Sequence, residues 1–374
     1  MPASTKRTTP KTKIQKPKNR FSAAKLRTWL PVLNPTGAEW PGPAKMLWWL
    51  TFIWLTIGSI VLFSASYYHG REEKGDGLYY ISRQGIYTVV GLAVFGWLVK
   101  TPLQKILNVT PKFLWVILAM VWATKLPGLG RETLGASRWI GIGPIQLQPS
   151  ELIKPFLVLH AAWLFGQWRK HSFRIKALGL GIFAMVLLGI LLQPNLSTTA
   201  LCGMTLWLIA CTAGIAMPYL ISTAGMGIMV ATLSIAFKEY QRKRMMSFMN
   251  PWADPQGDGF QLIQSLLAVG SGGFWGNGYG FSQQKLAYLP IQDTDFIFAV
   301  FAEEFGYAGS IVLIAMIIAY ATISLNIAYR AKNMVHRLIA VGAMTFIVLQ
   351  SILNIGVATG ALPTTGLQIG RAHV

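Results

Sequence analysis

From residue 46 onward, apolar residues come in blocks of about twenty, parted by short polar stretches. A helix of roughly 20 apolar residues crosses a bilayer core. The blocks predict nine spanning helices, at about 46–67, 79–99, 112–128, 149–168, 177–193, 196–216, 219–238, 304–328 and 337–358. One interval is different in kind. Residues 239–295, between the seventh and eighth blocks, are polar, glycine-rich and too long for a simple turn. The expected fold class is an all-α polytopic membrane protein with one large extracytoplasmic loop.

Composition sharpens this picture. The chain is 53% hydrophobic and only 12% charged, against about 25% charged in soluble domains. The net charge of +20 is concentrated in part in residues 1–43, a Pro- and Thr-rich basic tail expected to be disordered and cytoplasmic. No folded nucleic-acid reader accompanies it, so membrane topology explains the charge better than nucleic acid does. Cys202 and Cys211 share one apolar run and read as packing residues.

With the tail inside, the basic loops "VKTPLQK", "RKHSFRIK" and "YRAKNMVHR" also fall inside. Of the thirteen acids only Glu39 then lies on the cytoplasmic side. That asymmetry points to outer-face chemistry. The outer side also holds Arg131, Arg138, Lys154, Arg242, Lys243, Arg244 and Lys285, against the topology rule. Either an anionic ligand or local ion pairs must compensate them.

Three stretches carry candidate chemistry. "GASRWIGIGPIQLQPSELIKP" places Arg138 beside Trp139, with Glu151 and Lys154 three apart on one helix face. Ser150 is placed to cap that helix. In "NPWADPQGDGFQLIQS", Asp254 precedes Pro255, which disfavours helix there. A partly desolvated carboxylate near Trp252 and Phe260 could take a proton from a hydroxyl. The plainer alternative is a turn aspartate bonding local N–H groups, and Asp258 looks more like that residue. "FQLIQSLLAVG" has the spacing of a short amphipathic helix at the membrane surface. "GNGYG" could offer N–H groups to a phosphate, or simply bend. Asp295 is placed to cap the eighth helix, with Glu303 and Glu304 ordering basic groups of the loop.

These motifs, with "LPIQDTDFIFAVFAEEFGYAG" and "LPTTGL", resemble the SEDS family (shape, elongation, division and sporulation) of bacterial peptidoglycan polymerases. The resemblance spans residues 44–367, and "SQQKLAYLP" with the basic tail is closer to the division branch than to the elongation branch. It implies a ten-helix bundle, and a glycosyltransferase that polymerises lipid II outside the cytoplasmic membrane. It implies Asp254 as general base, and Arg138, Trp139, Glu151, Lys154, Arg242, Arg244 and Lys285 around the substrate. A divalent cation could assist. The implied partners are lipid II, the lipid-linked glycan strand, a class B penicillin-binding protein and other division proteins. Two departures stand out. The family's "QPDLGT" reads "QPNLSTT", with Asn195 and Ser197. The ending "QIGRAHV", residues 368–374, matches read-through of a sequencing adapter, so nine helices of ten are expected here. A lipid II flippase would instead need a polar midplane path, for which Arg83, Lys125 and His160 are thin material. A non-catalytic division scaffold would tolerate loss of Asp254.

Overall fold

A computed structural model describes residues 40–126, 130–133, 136–142, 145–286 and 295–364. The basic tail at 1–43 lies almost wholly outside them, and 368–374 wholly outside. Among the described residues there are eleven α-helices: α1 (Gly42–Lys74), α2 (Tyr79–Lys100), α3 (Leu103–Ala123), α4 (Pro149–Gly166), α5 (Phe173–Leu192), α6 (Leu196–Thr212), α7 (Met217–Phe237), α8 (Glu239–Met249), α9 (Phe260–Ser271), α10 (Ile297–Arg330) and α11 (Met334–Ala358). Six of them, α1, α3, α5, α7, α10 and α11, are long and apolar enough to cross a membrane. The other three predicted blocks fall on α2, α4 and α6.

Helix α4 is the hub. It carries Glu151 and Lys154, yet Ile153, Leu157, Ala161 and Leu164 are completely buried. It packs against α3, α5, α6 and α11, in a core that includes Leu118, Ile190, Leu201 and Leu338. Between spanning helices such burial gains van der Waals packing rather than exclusion of water, so close fit matters more than area. A second core joins Val61 and Ala65 of α1 to Ala268 of α9, Phe296–Ala302, and Val357 and Ala358 of α11.

The structure corrects the all-α expectation. The stretch before α4 forms a three-stranded antiparallel sheet, β1 (Gly130–Thr133), β2 (Ala136–Ile142) and β3 (Ile145–Leu147), in that order. Trp139 pairs with Arg131, and Ile140 with Leu147. Short alternating runs rich in Ile and Trp suit a pleated ribbon, and the glycines had masked that pattern. Nor is Ser150 the cap of α4. Gln148 precedes the helix, and the Ser150 hydroxyl is buried with no hydrogen-bond partner among the described residues.

The long polar interval is structured too. It contains α8, a 3-10 turn at Pro251–Ala253, and α9. Helix α9 buries Leu262, Ile263, Ser265 and Ala268 against protein, and Ser265 Oγ donates to Ala358 O at 2.7 Å. Helix α10 then breaks at Gly306, whose φ of 66° and ψ of −165° exclude a side chain. In an unbroken helix the carbonyls of Glu303 and Glu304 would take the amides of Tyr307 and Ala308. Here they accept from Asn277 at 2.9 Å and Gly278 at 3.1 Å. Tyr307 and Ala308 donate instead to Gly273 and Phe274, both at 3.0 Å. The glycine segment is thus laced into the break. Its amides at 276–278 go to carbonyls, not to a phosphate cradle. Ile297 and Tyr320 line one cavity of about 440 Å³ with Trp54 and Gly58, although a straight helix would hold them about 34 Å apart. The segment before Gly306 therefore folds back on the rest of α10.

Candidate functional site

Asp254 sits where the 3-10 turn ends, on non-helical backbone. Its carboxylate is exposed. Oδ1 accepts from the Gly257 amide at 3.1 Å and Oδ2 from the Asp258 amide at 3.0 Å. The Asp254 carbonyl accepts from Gly259 at 3.1 Å. A side chain on Gly257 would collide with the Asp254 carboxylate, which accounts for glycine there. Ser247 Oγ on α8 donates to Asp258 O at 2.8 Å and ties the turn to that helix. The turn role expected of Asp258 thus belongs to Asp254. The desolvation expected around Asp254 is absent, since Trp252 and its neighbours 253–258 are exposed.

Glu303 and Glu304 are the opposite case. Each is about 1% exposed. Glu303 accepts from Ser282 Oγ at 2.5 Å and the Gln283 amide at 2.9 Å. Glu304 Oε1 accepts from Lys285 Nζ at 2.7 Å and Ser64 Oγ at 2.5 Å. Lys285 also donates to Ser64 Oγ at 2.8 Å, and Tyr279 OH to Ile60 O at 3.1 Å. Lys285, expected beside the substrate, is therefore buried and already paired. It fastens the loop to α1 and α10. Asp295 does not cap α10, whose N-cap is Phe296.

At the sheet end of the bundle, Arg138 is buried on β2. Its Nε donates to Gln193 O at 3.0 Å and its Nη2 to Pro194 O at 2.7 Å, both in the α5–α6 turn. Burial pushes its guanidinium down from the ordinary arginine value, and Arg244 pushes the same way; Tyr240 and Asp295 oppose this. Arg244 lies over the Tyr240 ring at 4.5 Å and donates to Thr364 O at 3.2 Å. The structure thus brings Arg138 and Arg244 into one electrostatic group. Arg242 stays exposed on α8, and Trp139 is half-buried on β2. Lys154 Nζ pairs with Glu151 at 2.7 Å and approaches Gln350 Oε1 at 3.5 Å. Glu151 keeps much of its side chain exposed. Asn195, where the family motif has Asp, caps α6 through Thr198 N at 3.2 Å.

One cation escaped the sequence reading, and another was weighed there only for a polar path. Lys238, between α7 and α8, donates to Leu191 O at 3.0 Å. Lys125 follows α3, next to Thr124, which accepts from Gln193 Nε2 at 2.9 Å. Only folding sets Lys125 near Lys238 and Arg138. Among the described residues no group of three His, Cys, Asp or Glu side chains could hold a metal ion, so no step is assigned to a divalent cation.

A helical bundle with a broken helix, a laced loop and a polar, cation-rich end defines a multi-pass membrane protein with its candidate chemistry at one end. A family model described as cell cycle protein, covering FtsW, RodA and SpoVE, matches residues 44–370, and the chain belongs to that family. A Synechocystis protein named probable peptidoglycan glycosyltransferase FtsW is 54% identical over 92% of this chain and 87% of its own. A Mesostigma viride protein named putative peptidoglycan glycosyltransferase FtsW is 47% identical over 91% and 81%. Among solved structures, a chain from work on polymerization and crosslinking by a peptidoglycan synthase complex is 25% identical, with a TM-score of 0.67 over 86% of this chain and 88% of that one. Thermus thermophilus RodA shares the fold at a TM-score of 0.61 and 23% identity, over 86% of each chain.

Proposed function

We propose that this chain is a peptidoglycan glycosyltransferase that polymerises lipid II into glycan strands on the outer face of the cytoplasmic membrane during division. The names of its relatives support the activity. Asp254 is the general base. It takes the proton of the acceptor sugar hydroxyl as that oxygen attacks the donor's anomeric carbon. The bond from that carbon to the lipid diphosphate breaks, the diphosphate leaves with the electron pair, and the new linkage is inverted. The observation that carries this reading is an accessible carboxylate whose two oxygens are each held by one backbone amide. Such bonds fix its direction and leave lone pairs free for a proton. Glu151 and Lys154 shape the polar wall, and Arg138 with Arg242 and Arg244 faces the diphosphate. Lys285 we assign to holding the loop.

The nine helices, with the tail inside and the Asp254 end outside, form the bundle, and a class B penicillin-binding protein cross-links the product. Its place is the division septum. Against transport, Lys125 lies past the end of α3 and Arg83 stacks on Tyr79 at 4.7 Å. His160 is buried against Trp163 and Phe183. The test is polymer formation from purified lipid II by the protein with its transpeptidase partner, cross-linking blocked. Wild type should make polymer and a folded Asp254→Asn variant none. Equal polymer from both would remove Asp254 from the chemistry, and a folded wild type without product would favour transport or scaffolding.

A further inference from the structure

Two connections meet where α4 ends and α11 begins. A side chain on Gly166, the last residue of α4, would press on the side chain and backbone of Val335 in α11. The α4–α5 connection therefore lies beside the α10–α11 connection. Both are basic. The first carries Arg169, Lys170, Arg174 and Lys176, the second Arg330, Lys332 and Arg337, and neither contains an aspartate or glutamate. Among the described residues no carboxylate lies within ion-pair distance of any of these cations. Arg330 donates to Asn326 Oδ1 at 2.8 Å and Arg337 to Ala331 O at 3.4 Å. Neutral oxygens satisfy an N–H but cancel no charge. Arg337 Nε and His171 Nε2 are buried with no hydrogen-bond partner among the described residues. The tail at 1–39 brings nine more cations and one acid, Glu39, so its own charge adds to the excess.

We infer that the α4–α5 and α10–α11 connections form a binding site for the headgroup of an anionic phospholipid. Helix starts favour an anion here. Arg174 stands in the first turn of α5 and Arg337 in that of α11, where the helix dipole opposes a cation. Ser172 gives α5 no side-chain cap, so first-turn amides of α5 also face outward. Apolar exposure selects a lipid over a free phosphate. Phe173 is 83% exposed and Tyr329 84%, each next to an arginine of the group. Such residues suit hydrocarbon beside a charged headgroup. Lys176 lies over the Trp168 ring at 5.1 Å, which holds a cation at the rim. Basic pockets between spanning helices take acidic headgroups on the cytoplasmic side, and the orientation proposed above puts this end there. The site stands apart from the reaction, since the 20 residues of α5 set it about 30 Å from the α5–α6 turn.

The test is binding of phosphatidylglycerol to the purified full chain in detergent, read by native mass spectrometry beside phosphatidylcholine and soluble glycerol 3-phosphate. Wild type should prefer phosphatidylglycerol. The triple variant Arg169→Gln, Lys170→Gln and Arg174→Gln should weaken it by at least about tenfold, and Arg330→Gln with Lys332→Gln should weaken it in the same direction. Phosphatidylcholine binding should not change in either. The charge-keeping swap Arg169→Lys, Lys170→Arg and Arg174→Lys should retain the preference, as should Lys243→Gln, which removes an exposed cation outside the group. The preference should fall as salt rises. Equal binding of the two lipids by folded wild type overturns the site, as does an unchanged preference in both Gln variants. Glycerol 3-phosphate displacing the lipid at equal concentration overturns the choice of a lipid. Lipid II polymerisation is read separately, and its presence or absence leaves this result standing.

Discussion

Asp254 lies in the polar interval and Glu304 in the helix that follows it, and they differ in almost every physical respect. Asp254 is exposed and its carboxylate has backbone amides as partners. Glu304 is buried, pairs with Lys285 and takes a hydroxyl from α1. A buried carboxylate beside a lysine is costly to leave unpaired and poorly reached by substrate. An open one held by amides is reachable and costs the fold little to change. The contrast separates the open carboxylate, proposed above as the base, from the buried one that fastens the loop to α1.

The largest effect that would break this division is catalytic. Asp254→Asn should lower polymerisation at least about a hundredfold, with the thermal unfolding midpoint nearly unmoved. A large drop in that midpoint would instead make Asp254 structural. Next comes the buried pair. Lys285→Met alone should cost about 3–5 kcal/mol, and adding Glu304→Leu should restore most of that loss. Denaturant titration of the single and double variants reads this directly, and an additive second loss would contradict the pairing. Gly306→Ala forces a side chain onto a backbone only glycine tolerates. It should cost about 1–3 kcal/mol and release the glycine segment, seen as faster amide exchange at Asn277 and Gly278. Asn195→Ala should cost about 1 kcal/mol through the lost cap of α6, by the same titration.

The smallest effect is a pH slope. Lys125 and Lys238 lie below their ordinary 10.5 in the fold, from burial first. Between the lowered value and 10.5 the unfolded chain binds more protons, so stability rises with pH across that window. Melting curves across that window measure it, and a midpoint that falls as pH rises there would contradict the lowered lysines.

Much of this was legible in the linear chain, for local reasons. The nine apolar blocks fall on helices, and six of these helices are long and apolar enough to cross a membrane. "FQLIQSLLAVG" became α9 through its helical spacing. "NPWADPQGDG" announced a turn bearing a carboxylate. The division of roles between Asp254 and Asp258 was not legible. Both sit in a turn, and only coordinates show whose side chain meets the amides. Ser150 and Asp295 carry good capping chemistry, yet the helix starts shifted by a residue or two and left both out.

The sequence by itself determined the helices, the polar interval, the excess of cations and the family. These depend on composition, periodicity and motifs within a few residues of one another. Tertiary structure decided the fold-back at Gly306, the lacing of residues 273–278 and the burial of Lys285 against Glu304. It also decided the meeting of Lys125, Arg138 and Lys238. Each of those joins elements tens of residues apart, and what joins them is the obligation to satisfy buried amides and charges wherever packing leaves them.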